Sequence, residues 1–433
     1  MQWTKKYIKV IIMTPGINRP EKNKKRGIAM KETVKRILVI NCGSSSLKYE
    51  VYKMPERVSL GRGLVERIGE QIGKITQNGN GNKYELEAHI PDHNEAMRLM
   101  VNAMTDRKKG FLEGIDEIDG IGHRVVHGGE QYSESVVIDD RVIKAVEDNI
   151  HLAPLHNPPN LIGIRAAEKV FGDKKQVGVF DTAFHQTLPP SAYLYGIPRE
   201  YYDKHKIRRY GFHGTSHRFV ANEAMRFLKR SADNTNAVSC HLGNGASITA
   251  IFHGKSIDTS MGFTPLEGLV MGTRCGDIDP AIVIYLAENL GLSIKEINTI
   301  LNKKSGLLGL SGISNDLRDI EKAAEEGNQM AQEALDVYAH SIRKYIGAYA
   351  ANIVKVDVLI FTGGIGQYGV KMRERICHRL ENIGIVMDYQ RNAEVGAIEG
   401  IISTDYSPTT IAVIPTNEEL QIALDTYDLL FTS

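Results

Sequence analysis

The sequence predicts an α/β protein made of two related halves. Apolar, strand-like runs alternate with helical periodicities, the pattern of sheets covered by helices, and the runs end in glycine- or polar-rich loops. Two stretches, "VINCGSSSLKYEVY" (39–52) and "SCHLGNGASITAIFHGKS" (239–256), share one plan of strand, Asn/Gly/Ser turn and strand, so two halves of similar architecture are expected to face one another. With 433 residues the chain has room for two or three domains, at roughly 150 residues each.

The elements follow in order. "ILVI" (37–40) is an apolar strand, and the alternation of "KYEVYKM" (48–54) suits a neighbouring one. A helix is expected over 93–107, then a short strand in "IDGIGHRVVHGG" (118–129). "RVIKAVEDNIHLAPLHNPPN" (141–160) reads as a helix stopped by its prolines, and "LIGIRAAEKVF" (161–171) as another. "QVGVFDTAFH" (176–185) is a buried strand with an acid at its end. After Pro189 and Pro190 the pattern restarts: a helix over 217–230, a hairpin over 236–258 and a long helix over 325–353. "VDVLIFTGGIGQYG" (356–369) reads as strand then glycine loop, "GIVMD" (384–388) as a strand, and 409–430 as strand, turn and helix.

Bulk properties exclude several classes. A formal net charge of +1 gives no global field for nucleic acid or membrane, so neither is expected as a partner. Cys42, Cys240, Cys275 and Cys377 form no CxxC pair, which argues against a zinc knuckle or disulfide scaffold and for a reducing cytoplasm. No apolar run approaches the ~18 residues of a membrane span. Residues 1 to 36 differ, with eleven lysines and arginines against Glu21 and Glu32. We expect residues 1–35 to be a disordered basic extension, with Met30 a candidate initiator.

Several loops carry candidate chemistry. The 41–48 turn exposes backbone N–H groups and hydroxyls that suit a phosphate, with Lys48 as a point charge. The Walker A spacing is absent, and serines in turns are commonly turn residues only. Arg124 stands on an apolar strand beside two histidines, where a guanidinium needs a carboxylate or phosphate partner. Arg274 lies in a glycine-bounded loop open to close ligand approach. Two such arginines clamp an anion, or form structural ion pairs. Asp181 ends a strand, where open α/β sheets hold ligands, although a cap or salt bridge also fits. His213 and His217 have an i, i+4 spacing without the glutamate of H-E-x-x-H or a third ligand, so metal is disfavoured. Gly364, Gly366 and Gly369 match G-x-G-x-x-G, with Asp388 beyond the next strand, the layout of a dinucleotide fingerprint. That leaves an NAD-binding oxidoreductase as a reading from another class.

The motifs taken together resemble the acetate kinase family. "ILVINCGSSSLKYEVY" and "VGVFDTAFHQTLPPSAYLYGIP" match its two signatures. "GHRVVHGG", "LAPLHNPPN", "RYGFHGTSH", "HLGNGASITA", "TPLEGLVMGTRCGDIDP", "SNDLRDI" and "VIPTNEEL" also fit, in the family's order from about residue 36 onward. The resemblance implies a duplicated actin/hexokinase-like (ribonuclease H-like) fold with the active site in the interdomain cleft. The halves are expected at 36–184 and 185–418, with a C-terminal helix (419–433) packing back on the first. It implies reversible, Mg²⁺-dependent phosphoryl transfer between ATP and a short carboxylate, with Mn²⁺ as an alternative metal, in a cytoplasmic homodimer.

By motif position, Asn41, Ser44, Ser46 and Lys48 resemble a first phosphate loop, and Gly243, Asn244 and Gly245 a second. Arg124 and Arg274 resemble the substrate clamp, Asp181 the catalytic acid, and Glu418, with Asn41, the metal site. His213 resembles the transition-state donor, supported by His156 and His241. Asp316, Leu317, Arg318, Gly363, Gly364, Ile365 and Gly366 resemble the adenosine pocket. Val126, Leu155, Phe212 and Pro265 resemble the methyl pocket, and a valine at 126 is expected to favour acetate over propionate. One departure stands out: the family commonly reads G-I-G-E-N where this chain has "GIGQY", with Gln367 and Tyr368. Direct in-line transfer is expected, a phosphorylated Glu418 being the lesser route. A propionate or other short-chain carboxylate kinase, and a non-catalytic ATP switch, remain as alternatives.

Overall fold

The computed structural model describes residues 34–432, and the basic extension and Met30 lie outside them, apart from Val34 and Lys35. Lys35 belongs to a strand instead: it opens β1 (Lys35–Cys42), and its ammonium bonds Asp119 at 3.0 Å. The next strands are β2 (Ser46–Met54), β3 (Val58–Glu66), β4 (Gly73–Gly79), β5 (Asn82–Ala88), β6 (Gly120–Val125), β7 (Val136–Val137) and β8 (Gln176–Phe180). They form one sheet in the order β5-β4-β3-β2-β1-β6-β8-β7. β1 to β5 are an antiparallel meander, while β6 runs parallel to β1, and β8 to β6.

A second sheet holds β9 (Ala237–Leu242), β10 (Ala246–Phe252), β11 (Lys255–Thr259), β12 (Val358–Thr362), β13 (Gly400–Ile401) and β14 (Thr410–Val413). Its order is β11-β10-β9-β12-β14-β13, with β9 to β11 antiparallel, β12 parallel to β9 and β14 parallel to β12. The run β3-β2-β1-β6-β8 is therefore repeated as β11-β10-β9-β12-β14. The similarity of the two hairpins is a repeated sheet, and the expected duplicated α/β class holds.

The apolar strands are explained by burial on both faces. Ile37, Leu38, Val39 and Ile40 are all 0% exposed. Leu38 and Ile40 pack with Ala166, Ala167 and Phe171 of the helix Asn157–Phe171, while Ile37 and Val39 pack with Ile422, Ala423 and Tyr427 of the helix Glu418–Tyr427. The second sheet repeats this: Val238 and Phe361 face the long helix Gln329–Asn352, and Ala237 and Ile360 face the helix Gly214–Leu228.

Three local expectations are corrected. The helix Asp140–Asp148 ends well before the prolines, and Pro158 and Pro159 instead start the next helix, where a missing N–H costs nothing. The glycines after β12 wind directly into the helix Gly363–Tyr368 rather than a loop. "GIVMD" forms no strand: Met387 makes an isolated bridge to Ser403, and Asp388 caps the helix Tyr389–Val395 by accepting from the Arg391 N–H at 3.0 Å. The dinucleotide layout thus lacks the strand and the acid it requires.

Candidate active site

Each sheet presents its hairpin turn. In the first, Asn41 is cross-strand from Lys48, and the Gly43 N–H donates to the Ser46 carbonyl at 2.8 Å, leaving Ser44 exposed. In the second, the Asn244 carbonyl accepts from the Gly272 N–H at 3.0 Å and its side-chain oxygen from Asn315 at 3.0 Å. A Cβ on Gly243 would lie 4.0 Å from the Gly364 nitrogen, so this turn sits against the start of the glycine helix.

Arg124 is the penultimate residue of β6 and Asp181 the first residue after the neighbouring parallel strand β8, and the guanidinium donates to the carboxylate. Asp181 is 1% exposed and also accepts from Thr215 Oγ1 at 3.1 Å. Arg124 Nε is buried without a partner. Glu418, the first residue of its helix, lies near the same pair. Burial pushes its carboxyl up to about 7, with Asp181 and Glu419 adding to the rise and Arg124 and Lys48 opposing it. Two acids thus share one guanidinium, which donates to Asp181. No cluster of three or more His, Cys, Asp or Glu among the described residues could hold a metal alone. The donor set fits a hard cation that completes its shell with phosphate oxygens and water.

The histidines lie beside the second turn. His213, at φ 55° before the helix Gly214–Leu228, stacks on His241 with centroids 4.4 Å apart. Its Nδ1 lies 2.9 Å from Ser247 Oγ, which also bonds His217 Nε2 at 2.7 Å. The i, i+4 pair is therefore joined through a hydroxyl and offers no zinc site. His241 Nδ1 bonds Ser216 Oγ at 2.7 Å, and that hydroxyl bonds Thr416 at 2.8 Å. Burial holds His213 well below the usual range and His241 at about 4, so both are neutral. A Cβ on Gly245 would lie 3.4 Å from His213 Nε2 and 3.7 Å from an Arg274 nitrogen, so the second turn, His213 and Arg274 meet at one point. His156 is lowered by burial first and then by both Arg124 and Arg274, which places it beside the two cations.

Beyond the second turn opens a cleft of about 590 Å³ lined by Gly243, Asn244, Asp316, Leu317, Arg318, Gly364 and Ile365 among others. Asp316 caps the helix Leu317–Glu325 and holds Arg318 folded onto itself, which lowers its own pKa to about 2. Gln367 turns away to donate to the Ala397 carbonyl at 2.7 Å, whereas Tyr368 lines the cleft and is 68% exposed. Of the methyl-pocket candidates, Val126 and Phe212 share one buried cluster, and the Pro265 carbonyl accepts from Arg274 at 3.1 Å. Leu155 is 73% exposed.

Sequence reasoning missed Thr215, Ser216, Ser247 and Thr416, which hold the acid and the histidines, and Asn315 and Glu321 in the cleft. Thr215 and Ser216 sat inside the quoted "RYGFHGTSH", but hydroxyls beside a helix start read as ordinary caps.

A chain with this repeated α/β plan and this site falls, by its family and relatives, among the phosphotransferases whose acceptor is a carboxyl group. The Acetokinase family model matches residues 36–424, and the chain belongs to that family. It is 52% identical over 395 residues to an acetate kinase of Pseudothermotoga lettingae, covering 91% of this chain and 97% of that protein. An acetate kinase of Clostridium novyi is 51% identical over 91% of this chain and 98% of its own length. Among solved structures, the Porphyromonas gingivalis acetate kinase superposes with a TM-score of 0.89 at 47% identity, and a Francisella tularensis propionate kinase with 0.85 at 42%. Each covers 92% of this chain and all of the other.

Proposed function

We propose that the chain is an acetate kinase, transferring the γ-phosphoryl group of ATP reversibly to acetate to give acetyl phosphate and ADP. A carboxylate oxygen forms the new bond to phosphorus as the bond from phosphorus to the β–γ bridging oxygen breaks, and ADP leaves. The observation that carries this reading is Arg124: a half-buried guanidinium that spends one arm on Asp181, set between two acids and beside the arginine–histidine cluster. Its other terminal nitrogen makes no hydrogen bond within the described residues, and a carboxylate substrate supplies an acceptor there.

Arg124 and Arg274 bind acetate, with Val126, Phe212, Pro265 and Leu155 around its methyl group. Asn41, Ser44, Ser46 and Lys48 meet the transferred phosphate from one side, and His241, Gly243, Asn244 and Gly245 from the other. Asp316, Leu317, Arg318 and the residues Gly363, Gly364, Ile365 and Gly366 take the adenosine. His213 donates to the phosphoryl oxygens, with His156 and His241 in support. Asp181 orients Arg124. Glu418 and Asn41 would hold Mg²⁺, which when bound neutralises charge on the nucleotide phosphates. Phosphoryl transfer asks for little beyond positioning and charge neutralisation, so direct transfer is favoured.

The two sheets are read as two lobes, 36–184 with the C-terminal helix and 185–418, with the acetate and phosphate groups held between them and the nucleotide cleft of about 590 Å³ opening within the second lobe. A homodimer is supported by the helix Ala281–Glu288, which buries none of its residues and exposes Ile284 (56%) and Tyr285 (57%). No described helix is long and apolar enough to cross a membrane, and all four cysteines are free, in keeping with a reducing cytoplasm.

The decisive assay supplies ATP, Mg²⁺ and acetate and traps acyl phosphate with hydroxylamine, repeated with propionate and butyrate. Acetate is expected to give the highest kcat/KM. A higher value for propionate would favour the reading suggested by the Francisella relative. Absence of acyl phosphate from every acid would overturn the assignment.

A further inference from the structure

His213, the histidine against the Gly245 turn, ends a buried chain of alternating imidazoles and hydroxyls. His213 Nδ1 is 2.9 Å from Ser247 Oγ, Ser247 Oγ is 2.7 Å from His217 Nε2, and His217 Nδ1 is 3.0 Å from Ser239 Oγ. Ser239, His217 and Ser247 are each 0% exposed. A neutral imidazole has one N–H and one lone pair, and a hydroxyl has one proton to donate. Three arrangements satisfy every link, but the one in which Ser247 accepts from both imidazoles strands its own proton, for which Ser247 has no further partner among the described residues, so two remain.

In the first, the protons run toward His213. Ser239 O–H donates to His217 Nδ1, His217 Nε2–H to Ser247, and Ser247 O–H to His213 Nδ1, which leaves His213 protonated at Nε2. In the second, all are reversed, and His213 presents a lone pair at Nε2. The second also requires an acceptor for the Ser239 hydroxyl proton. Ser239 Oγ has no other hydrogen-bond partner among the described residues. His185, the next ring along, has both nitrogens engaged by Ser256 Oγ at 2.9 Å and the Phe212 carbonyl at 3.0 Å. A buried donor left unmade is expensive, so the terminus of the chain selects the first arrangement.

We infer that Ser239, His217 and Ser247 form a tautomer lock, positioning residues that keep the His213 proton on Nε2, the nitrogen facing the Gly245 turn. Burial keeps His213 and His217 uncharged, as the lock requires. An Nε2–H donates to an oxygen of the transferring phosphoryl group, whereas a lone pair there would repel it. The inference rests on the phosphoryl-transfer reading of this site, but the tautomer itself does not depend on activity.

The test joins NMR with kinetics on the full chain. Two-bond ¹H–¹⁵N correlations, with His213→Gln to assign the signal, are expected to show an Nε2–H tautomer at His213 in the wild type. Ser239→Ala removes the terminal donor without touching substrate. It leaves one unpaired group on His217 in either arrangement, so it should add an Nδ1–H population at His213 and lower kcat by about twofold or more, with KM for ATP and acetate unchanged. Ser239→Thr, which restores a hydroxyl, should return both readouts to wild type. An Nδ1–H tautomer in the wild type overturns the lock, as does a Ser239→Ala enzyme whose tautomer and kcat are both unaltered. A tautomer that shifts while kcat does not would remove its role in transfer. Should Ser239→Ala fail to fold, the wild-type tautomer decides. A wild type with the stated tautomer but no acyl phosphate would leave the lock standing and overturn the functional reading instead.

Discussion

Arg124 donates to the buried carboxylate of Asp181 with one arm of its guanidinium, while its Nε, also buried, binds nothing. Arg274 has no acidic partner of this kind: it donates to the Pro265 carbonyl at 3.1 Å and touches Met271. The two arginines should therefore fail differently. Arg124→Ala strands Asp181 as an unpaired buried charge, so it should lose about 3 kcal/mol of stability and at least ~10²-fold in kcat. Arg274→Ala should lose ~10²-fold in kcat while melting like the wild type. Thermal melts beside acyl-phosphate kinetics separate the two. Near-normal turnover in either variant would remove that arginine from the clamp.

Glu418 makes stability fall as pH rises. Its folded carboxyl is pushed from the ordinary 4.5 up to about 7, first by burial. Between those values the folded state keeps a proton that the unfolded chain releases, so its stabilising effect is complete below the unfolded value and is lost as pH passes through the folded one. Denaturation midpoints from pH 4.5 to 7.5 should contain this downward component, and Glu418→Gln should delete it. Because a metal binds the carboxylate form, Mn²⁺ affinity for the nucleotide-free enzyme should weaken as pH falls below about 7, by ~10-fold per unit. Glu418→Gln should bind weakly at every pH. A pH-independent wild-type affinity would remove Glu418 from the metal site.

The buried histidines act in the opposite sense. His123, His185 and His241 are held at about 4, chiefly by burial, and His213 and His217 well below the usual value. The unfolded chain takes up protons near 6.5 that the folded one refuses, so their stabilising effect is full above 6.5 and drains away toward pH 4. Each contributes ~1.4 kcal/mol per pH unit in that window. Potentiometric titration across unfolding at pH 5.5 should record a net uptake of protons; net release would contradict a neutral cluster.

What the sequence made legible was whatever repeats or must be local. The strand "ILVI" and the two hairpin turns were readable because burial on both faces demands an apolar run and a turn demands small polar residues. Arg124 and Asp181 were readable as charges that needed partners, but their pairing was not, since 57 positions separate them and only the parallel register of β6 and β8 joins them. Asp388 misled because an acid at the right spacing does not reveal whether a strand precedes it; here it caps a helix. Ser239 and Ser247 left no trace, because a serine facing inward from a strand has the same local sequence as one facing a neighbouring strand.

Adjacent glycines at the cleft make the last separation. Gly363 adopts φ +74°, and a Cβ there would lie 2.6 Å from the Leu242 carbonyl oxygen, so both backbone and space demand glycine. A methyl group at Gly364 would meet nothing within 4 Å, and this glycine lines the cleft. Gly363→Ala should cost ~1–3 kcal/mol of stability through strain and depress all activity with it. Gly364→Ala should fold as well as the wild type or gain ~0.5–1 kcal/mol, because alanine favours a helix. Its methyl group would project into the space assigned to the nucleotide, so KM for ATP should rise at least ~10-fold with KM for acetate unchanged, a change worth about 1.4 kcal/mol of binding. Melting curves and two-substrate kinetics on the pair decide it: if Gly364→Ala keeps its KM for ATP, the nucleotide does not approach the start of this helix, and the adenosine pocket must lie elsewhere.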